Sequence, residues 1–159
     1  MTEGHERSIE RFLFREARLA DEHDYAGWEA LWTDDGVYWV PAAGALDDAT
    51  RMAIIHDNRH RISTRVRQLE TGRRYAQTPP SRLRRIVSNI EVMGAGADSI
   101  DVLVEANFVL LEGRETGTET WGGRVEYHLR LVDDGWRLAF KRVDLVNRPW
   151  VVATLGFII

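Results

Sequence analysis

The sequence predicts an α+β fold on three observations. Apolar residues recur at helical spacing as far as Leu69, the Thr78-Pro79-Pro80-Ser81 segment forbids further helix, and four strand-like segments follow it. Helices first and a run of long antiparallel strands afterwards is the α+β order, and long curved strands closed over by preceding helices form a cone. The expectation is three N-terminal helices packed on a strongly curved, mostly antiparallel sheet, as a single domain over residues 1–159, a length one core commonly serves.

Taken in order, Ser8 is placed to cap a helix whose apolar face carries Ile9, Phe12, Leu13, Leu19 and Ala20. Asp24 opens a shorter helix that presents Trp28, Leu31 and Trp32 at i, i+3, i+4 spacing. Thr33-Asp34-Asp35-Gly36 is a turn signal, Val37 to Pro41 a short strand stopped by proline, and residues 42–56 read as a loop. A third helix runs from Asp57 or Asn58 to Thr71 with Ile62, Val66 and Leu69 inward, and Gly72 stands where a left-handed residue is wanted.

In the second half, Ile100, Val102, Val104, Ala106, Phe108 and Leu110 share one face of a strand over 99–111. Trp121, Val125, Tyr127, Leu129 and Leu131 share one face of a strand over 121–132, opposed by Arg124, Glu126, His128 and Arg130. That phase places His128 on a solvated or subunit-facing surface. The last strand carries Trp136, Leu138 and Phe140 in phase and then shifts to Val143 and Leu145, which predicts a β-bulge near Lys141-Arg142. Gly94 to Asp98 and Asp133-Asp134-Gly135 are hairpin turns.

Composition narrows the function classes. A 44% hydrophobic and 29% charged chain is ordinary for a globular protein and excludes a disordered tail. No apolar run approaches the ~20 residues that span a bilayer, and Met1 to Arg7 lacks a secretory pattern, so the expected location is cytoplasmic with no membrane partner. The chain contains no cysteine, which excludes disulfides, thiolate zinc sites and iron–sulfur centres, a Rieske centre included because it needs two thiolates. A net charge of −4 argues against a nucleic-acid partner. Lys141 is the one lysine among 21 basic residues; the arginine excess fits either an oligomer interface or a GC-rich coding bias.

Three blocks carry a family resemblance. Phe12-Leu13-Phe14-Arg15-Glu16-Ala17-Arg18-Leu19-Ala20-Asp21, with Trp28-Glu29-Ala30-Leu31 and Tyr38-Trp39-Val40-Pro41, resembles the opening of the small, or β, subunits of aromatic-ring-hydroxylating dioxygenases. Arg65 to Arg73, running into Pro79-Pro80-Ser81-Arg82 and Val87-Ser88-Asn89-Ile90, is similar to that family's helix, Pro-Ser-Arg turn and Ser-Asn strand. Gly135-Trp136-Arg137-Leu138 and the apolar terminus complete the ordered set. The resemblance implies the cone-shaped fold of nuclear transport factor 2 and SnoaL-like proteins. It also implies a structural β subunit that supports a catalytic α subunit in NAD(P)H-fed dihydroxylation of an aromatic ring with O2. The Rieske [2Fe-2S] cluster and mononuclear iron would then lie in the α subunit, usually in an α3β3 hexamer with β–β contacts in a trimer, and this chain would hold no cofactor or metal and no active site.

Several residues invite other chemistry. His56 and His60 have the i, i+4 spacing of a helical metal pair, but Asp57 and Asn58 are better helix caps, which leaves His56 in the preceding loop. Tyr25, Asp35, Tyr38, His56 and His60 are types able to do acid–base work inside a cone, as in a stand-alone lyase or isomerase; a non-catalytic small-molecule-binding module is the other alternative. For subunit contacts the candidates are Arg82, Arg84 and Arg85 after the double proline, and Trp150, Phe157, Ile158 and Ile159 in the apolar terminus, part of which is expected to fold onto its own core.

Overall fold

A computed structural model describes residues 3–42, 53–72, 79–95, 100–133, 135–146 and 156–159. The elements run α1 (Glu3–Asp21), α2 (Tyr25–Glu29), β1 (Trp32–Pro41), β2 (Ala53–Asn58), α3 (Arg59–Glu70), β3 (Arg82–Ala95), β4 (Val102–Arg114), β5 (Gly117–Val132) and β6 (Gly135–Leu145). One six-stranded sheet has the order β2-β1-β6-β5-β4-β3. Only β1 and β6 pair in parallel; every other neighbouring pair is antiparallel. The helices pack on one face of this open, curved sheet, which is the expected α+β architecture.

The α1 stripe is Ile9, Phe12, Leu13, Glu16, Ala17, Leu19 and Ala20, all buried. Burial of each large aliphatic among them stabilises by about 1.5–3 kcal/mol relative to exposure. The helix begins at Glu3, ahead of the expected start, so Ser8 is no cap. Its hydroxyl instead donates to the His5 carbonyl at 2.7 Å and accepts the Trp136 indole N–H at 2.9 Å. Asp24 does cap α2, accepting the Gly27 N–H at 2.9 Å. Asn58 caps α3 in the same way through the Arg61 N–H at 3.0 Å, and Gly72 follows the helix at φ +60°. A left-handed residue there suits glycine, which has no Cβ to clash.

Two segments differ from expectation for one reason, irregular pairing. The Thr33-Asp34-Asp35-Gly36 turn signal lies inside β1 as a bulge: Trp32 pairs Leu138 and Val37 pairs Phe140, so a long stretch of β1 passes a short one of β6. Gly36 is required there, because a Cβ would stand 2.7 Å from the Trp32 ring. Ala53–Asn58, expected as loop up to His56 and as the helix start at Asp57 or Asn58, is the short edge strand β2, so His56 is in a strand rather than a loop. The β6 bulge exists but falls at Ala139, which has no partner where His128 pairs Phe140 and Leu129 pairs Leu138. That single extra residue turns Phe140 outward onto the His128 ring at 4.8 Å and turns Lys141 into the core. Ile100 and Leu131, placed on the apolar faces by alternation, are 77% and 52% exposed; Ile100 falls before β4 begins at Val102, and Leu131 is at the end of β5.

Candidate functional site

The interior of the fold is where the helices and the inner sheet face meet, and it is polar at its centre. Glu16 enters from α1 and Lys141 from β6, with Nζ 2.8 Å from Oε1. The same carboxylate oxygen accepts the Trp28 indole N–H at 2.7 Å. The Lys141 ammonium lies 5.7 Å from the Tyr38 ring centroid and 5.9 Å from that of Tyr127, within cation–π reach. Burial alone would raise the Glu16 carboxyl. The charges of Lys141 and Arg85, with the hydrogen bonds from Lys141 and Trp28, outweigh it and hold the group below the usual carboxylate range. Burial lowers the Lys141 ammonium, and Glu16 opposes that shift. Tyr38 and Tyr127 are both pushed up by burial.

Beside this pair sits a second one. Asp21 Oδ1 receives Arg85 Nε at 2.7 Å and Oδ2 receives the Arg85 backbone N–H at 2.7 Å. The Arg85 guanidinium also donates to the Ile158 carbonyl at 2.8 Å. Tyr38 closes the set: its hydroxyl donates to the Ile159 carbonyl at 2.7 Å and accepts the Ile159 N–H at 3.2 Å. Phe157, Ile158 and Ile159 are thereby buried at 4%, 0% and 1% exposure, with the Phe157 ring edge-on to Trp121 at 5.8 Å. Among the described residues Phe157, Ile158 and Ile159 pack into the interior, and Glu16, Lys141, Asp21, Arg85 and Tyr38 hydrogen-bond there, whereas the buried Trp32 indole N–H has no partner. This arrangement can hold a rigid core together.

At the rim, Ser81 joins two further groups. Its hydroxyl donates to the fully buried Glu112 at 2.6 Å, and Glu112 also accepts from Arg114 at 2.6 Å and the Trp121 indole at 3.0 Å. The Ser81 carbonyl lies 2.8 Å from His23 Nε2, and a carbonyl can only accept, so Nε2 carries the proton and Nδ1 accepts from the Tyr25 hydroxyl at 2.8 Å. A cavity of about 110 Å³ opens beside His23, Tyr25, Leu69, Ser81 and Phe157. Burial raises the Tyr25 phenol. Both ring nitrogens of His23 are already engaged, so these groups act as a tie between the α1–α2 connection and β3.

The five candidate acid–base residues are scattered. Tyr38 is in the core, Tyr25 at the rim, and Asp35, His56 and His60 are exposed. Asp35 pairs with Arg130 at 2.9 Å; the hydrogen bond from Thr33, then that from Arg130, hold its carboxyl below the ordinary value. His56 lies edge-on to Trp39 at 5.9 Å, and His60 is in the first turn of α3. No hydrogen bond joins any two of the five among the described residues. Nor do three His, Asp or Glu side chains gather as a metal ion would need among those residues. No helix among them is long and apolar enough to cross a membrane.

Of the candidate contact residues, Arg85, Phe157, Ile158 and Ile159 are used inside the chain, because their hydrogen bonds and apolar surface are consumed by α1, Tyr38 and Trp121. Arg82 and Arg84 are exposed, and Trp150 lies outside the described residues. The sequence reading missed Glu16, Asp21 and Lys141. A signal for two of them was available: Glu16 falls in the helical stripe with Phe12, Leu13, Leu19 and Ala20, and Lys141 is the single lysine.

Residues 15–150 match the family model described as the ring hydroxylating β subunit. The chain belongs to that family. This β subunit is 32% identical over 142 residues to the small oxygenase component of the p-cumate 2,3-dioxygenase system of Pseudomonas putida, covering 86% of the chain and 77% of that protein. Its fold is similar to the β subunit of benzoate 1,2-dioxygenase from Burkholderia mallei, with a TM-score of 0.77 at 26% identity over 94% of this chain and 95% of that one. It also superposes on a chain of naphthalene 1,2-dioxygenase with a TM-score of 0.80, where 17% identity speaks for the fold alone, over 97% and 84% of the two chains. The family-like blocks of the sequence contain Glu16, Asp21, Trp28, Tyr38 and Ser81. The first four form interior ties of the β subunit, and Ser81 a tie at its rim.

Proposed function

We propose that this β subunit of an aromatic-ring-hydroxylating dioxygenase is the assembly component, one domain over residues 1–159. It would hold catalytic α subunits in register, so that cluster and iron in adjacent α subunits lie close enough for electron transfer. The observation that carries this reading is the filled interior. The space in which cone-fold enzymes do acid–base chemistry is taken by Phe157, Ile158 and Ile159 and by the Glu16–Lys141 and Asp21–Arg85 pairs. A fold so occupied contributes through its outside.

The residues present do not suit the family's iron–sulfur group. A Rieske cluster takes two thiolates and two histidines, and the chain has no cysteine. Cluster and mononuclear iron therefore belong to the partner in this reading, within an α3β3 assembly that includes β–β contacts. Arg82, Arg84 and Trp150 remain the candidate contact residues, and a cytoplasmic location agrees with that chemistry.

The test is co-expression with the large subunit from the same source. A red-brown complex of α3β3 mass, whose ring-hydroxylating activity is lost when this chain is omitted, is the expected result. Turnover of an aromatic substrate by the isolated chain, or its persistent failure to join an iron-bearing chain, would sink the reading.

A further inference from the structure

The cavity of about 110 Å³ beside the His23–Tyr25–Ser81 tie has uncharged walls. Two larger clefts along α1 and β3 both include Asp21 and Arg84. At the rim, by contrast, no Asp, Glu, Lys or Arg stands among the described lining residues. A charged occupant would lose water there and gain no counter-ion, so the lining selects a neutral one. Size restricts it further. An apolar cavity of about 150 Å³ takes a benzene ring. This one is smaller but open to the surface past the exposed Gln68, Gly72 and Pro80, which suits a single ring and not two fused ones.

The walls are fixed in place. His23 stands at φ +57°, a left-handed conformation that a residue with a Cβ adopts rarely, and hydrogen bonds at both its ring nitrogens hold it there. The Ser81 hydroxyl is tied to buried Glu112, and the buried Phe157 ring lies edge-on to Trp121. A cavity between such walls is preorganised, so little binding energy goes into ordering them. One edge is polar in a defined sense. Nε2 of His23 gives its proton to the Ser81 carbonyl, so the Tyr25 hydroxyl gives its own to Nδ1. The Tyr25 oxygen accepts no hydrogen bond among the described residues, and donating makes it a stronger acceptor. What this edge lacks is a donor.

We propose that the rim cavity is a binding site for a small neutral ring that carries a hydroxyl. The ring lies between Leu69, Pro80 and Phe157, and its hydroxyl donates to Tyr25 Oη. The assignment goes beyond the assembly reading and stands without it.

The experiment titrates the full chain with phenol and follows the backbone amide shifts of Leu69, Gly72 and Ser81 by NMR. Saturable shifts centred there, with a midpoint below about 10 mM, are the expected result. Toluene matches phenol in size but has no donor, and it should bind roughly two- to tenfold more weakly. Tyr25→Phe should remove that preference and leave toluene binding as it was. Leu69→Trp, which fills the cavity, should abolish binding of both. Gln68→Trp, at an exposed position of α3, blocks the same opening if L69W loses its native circular dichroism. Shifts that never saturate, toluene binding the unmodified chain as tightly as phenol, a preference for phenol that survives Y25F, or phenol binding untouched by the tryptophan variants would each overturn the assignment. So would phenol binding that disappears once the large subunit is added, because a side chain of that partner would then be the occupant.

Discussion

The two faces of the sheet carry similar ion pairs under opposite conditions. On the inner face Glu16 and Lys141 meet at 2.8 Å with side chains 1% and 2% exposed. On the outer face Arg124 bridges Glu91 and Glu105 while its own side chain is 45% exposed. Geometry alone would rank them alike. Desolvation separates them: two charges removed from water need one another, because losing either leaves the other buried without a partner, whereas solvent replaces a lost partner outside. The inner pair therefore fixes which residues face inward, and the outer network mainly keeps a broad sheet face wet and hydrated.

The most direct way to break this comparison is Glu16→Leu. It strands the Lys141 ammonium in the core and should cost about 3–5 kcal/mol in urea denaturation. The double variant E16L/K141M should recover most of that, and matched losses in the single and double variants would refute the coupling. Acid sharpens the same contrast. Glu16 has a folded-state pKa below its unfolded one, so on acidification the unfolded chain takes up the proton first; the stability is present above the ordinary glutamate value of 4.5 and lost as pH falls through the lower folded value. Unfolding free energies followed down to about pH 3 should decline more steeply for the natural chain than for E16L/K141M, and parallel profiles would place the acid sensitivity elsewhere.

A smaller effect is expected at Tyr38→Phe, which removes the hydroxyl between the Ile159 carbonyl and N–H. The loss should be about 1–2 kcal/mol, read as a lower thermal midpoint with unchanged secondary structure. Amide exchange at Ile159 should quicken in the same variant; unchanged exchange would show that apolar packing alone holds the terminal segment. The smallest effect is on the outer face. Arg124→Ala should leave the denaturation midpoint within experimental scatter at ordinary salt, and a loss approaching that of Glu16→Leu would erase the distinction between the faces.

Where the sequence was legible, the signal was local. β4 and β5 declare themselves through strict alternation, Val104, Ala106, Phe108 and Leu110 on one, Val125, Tyr127 and Leu129 on the other, because both faces of a central strand are committed by their immediate surroundings. α3 is equally plain, with Asn58, the Ile62–Val66 stripe and Gly72 as start, face and stop. β2 was not legible: an edge strand paired on one side only has a mixed exposure pattern that reads as loop. The ring-hydroxylating family, too, could be read from ordered sequence blocks, although those blocks do not say that their Glu16, Asp21 and Tyr38 point into a filled interior.

The amino-acid order by itself determined the α+β class, the Asp24 and Asn58 helix caps, the main strands and the absence of any thiolate ligand, since each depends on residue type and short-range spacing. Only the tertiary structure decided that Lys141 turns inward, because that follows from one unpaired residue, Ala139, and from a carboxylate 125 positions away. It likewise decided that Arg85 is consumed by Asp21 while Arg82 and Arg84 have no carboxylate partner among the described residues. Burial and pairing of a charge are properties of what folds against it, and that is not written in its neighbours along the chain.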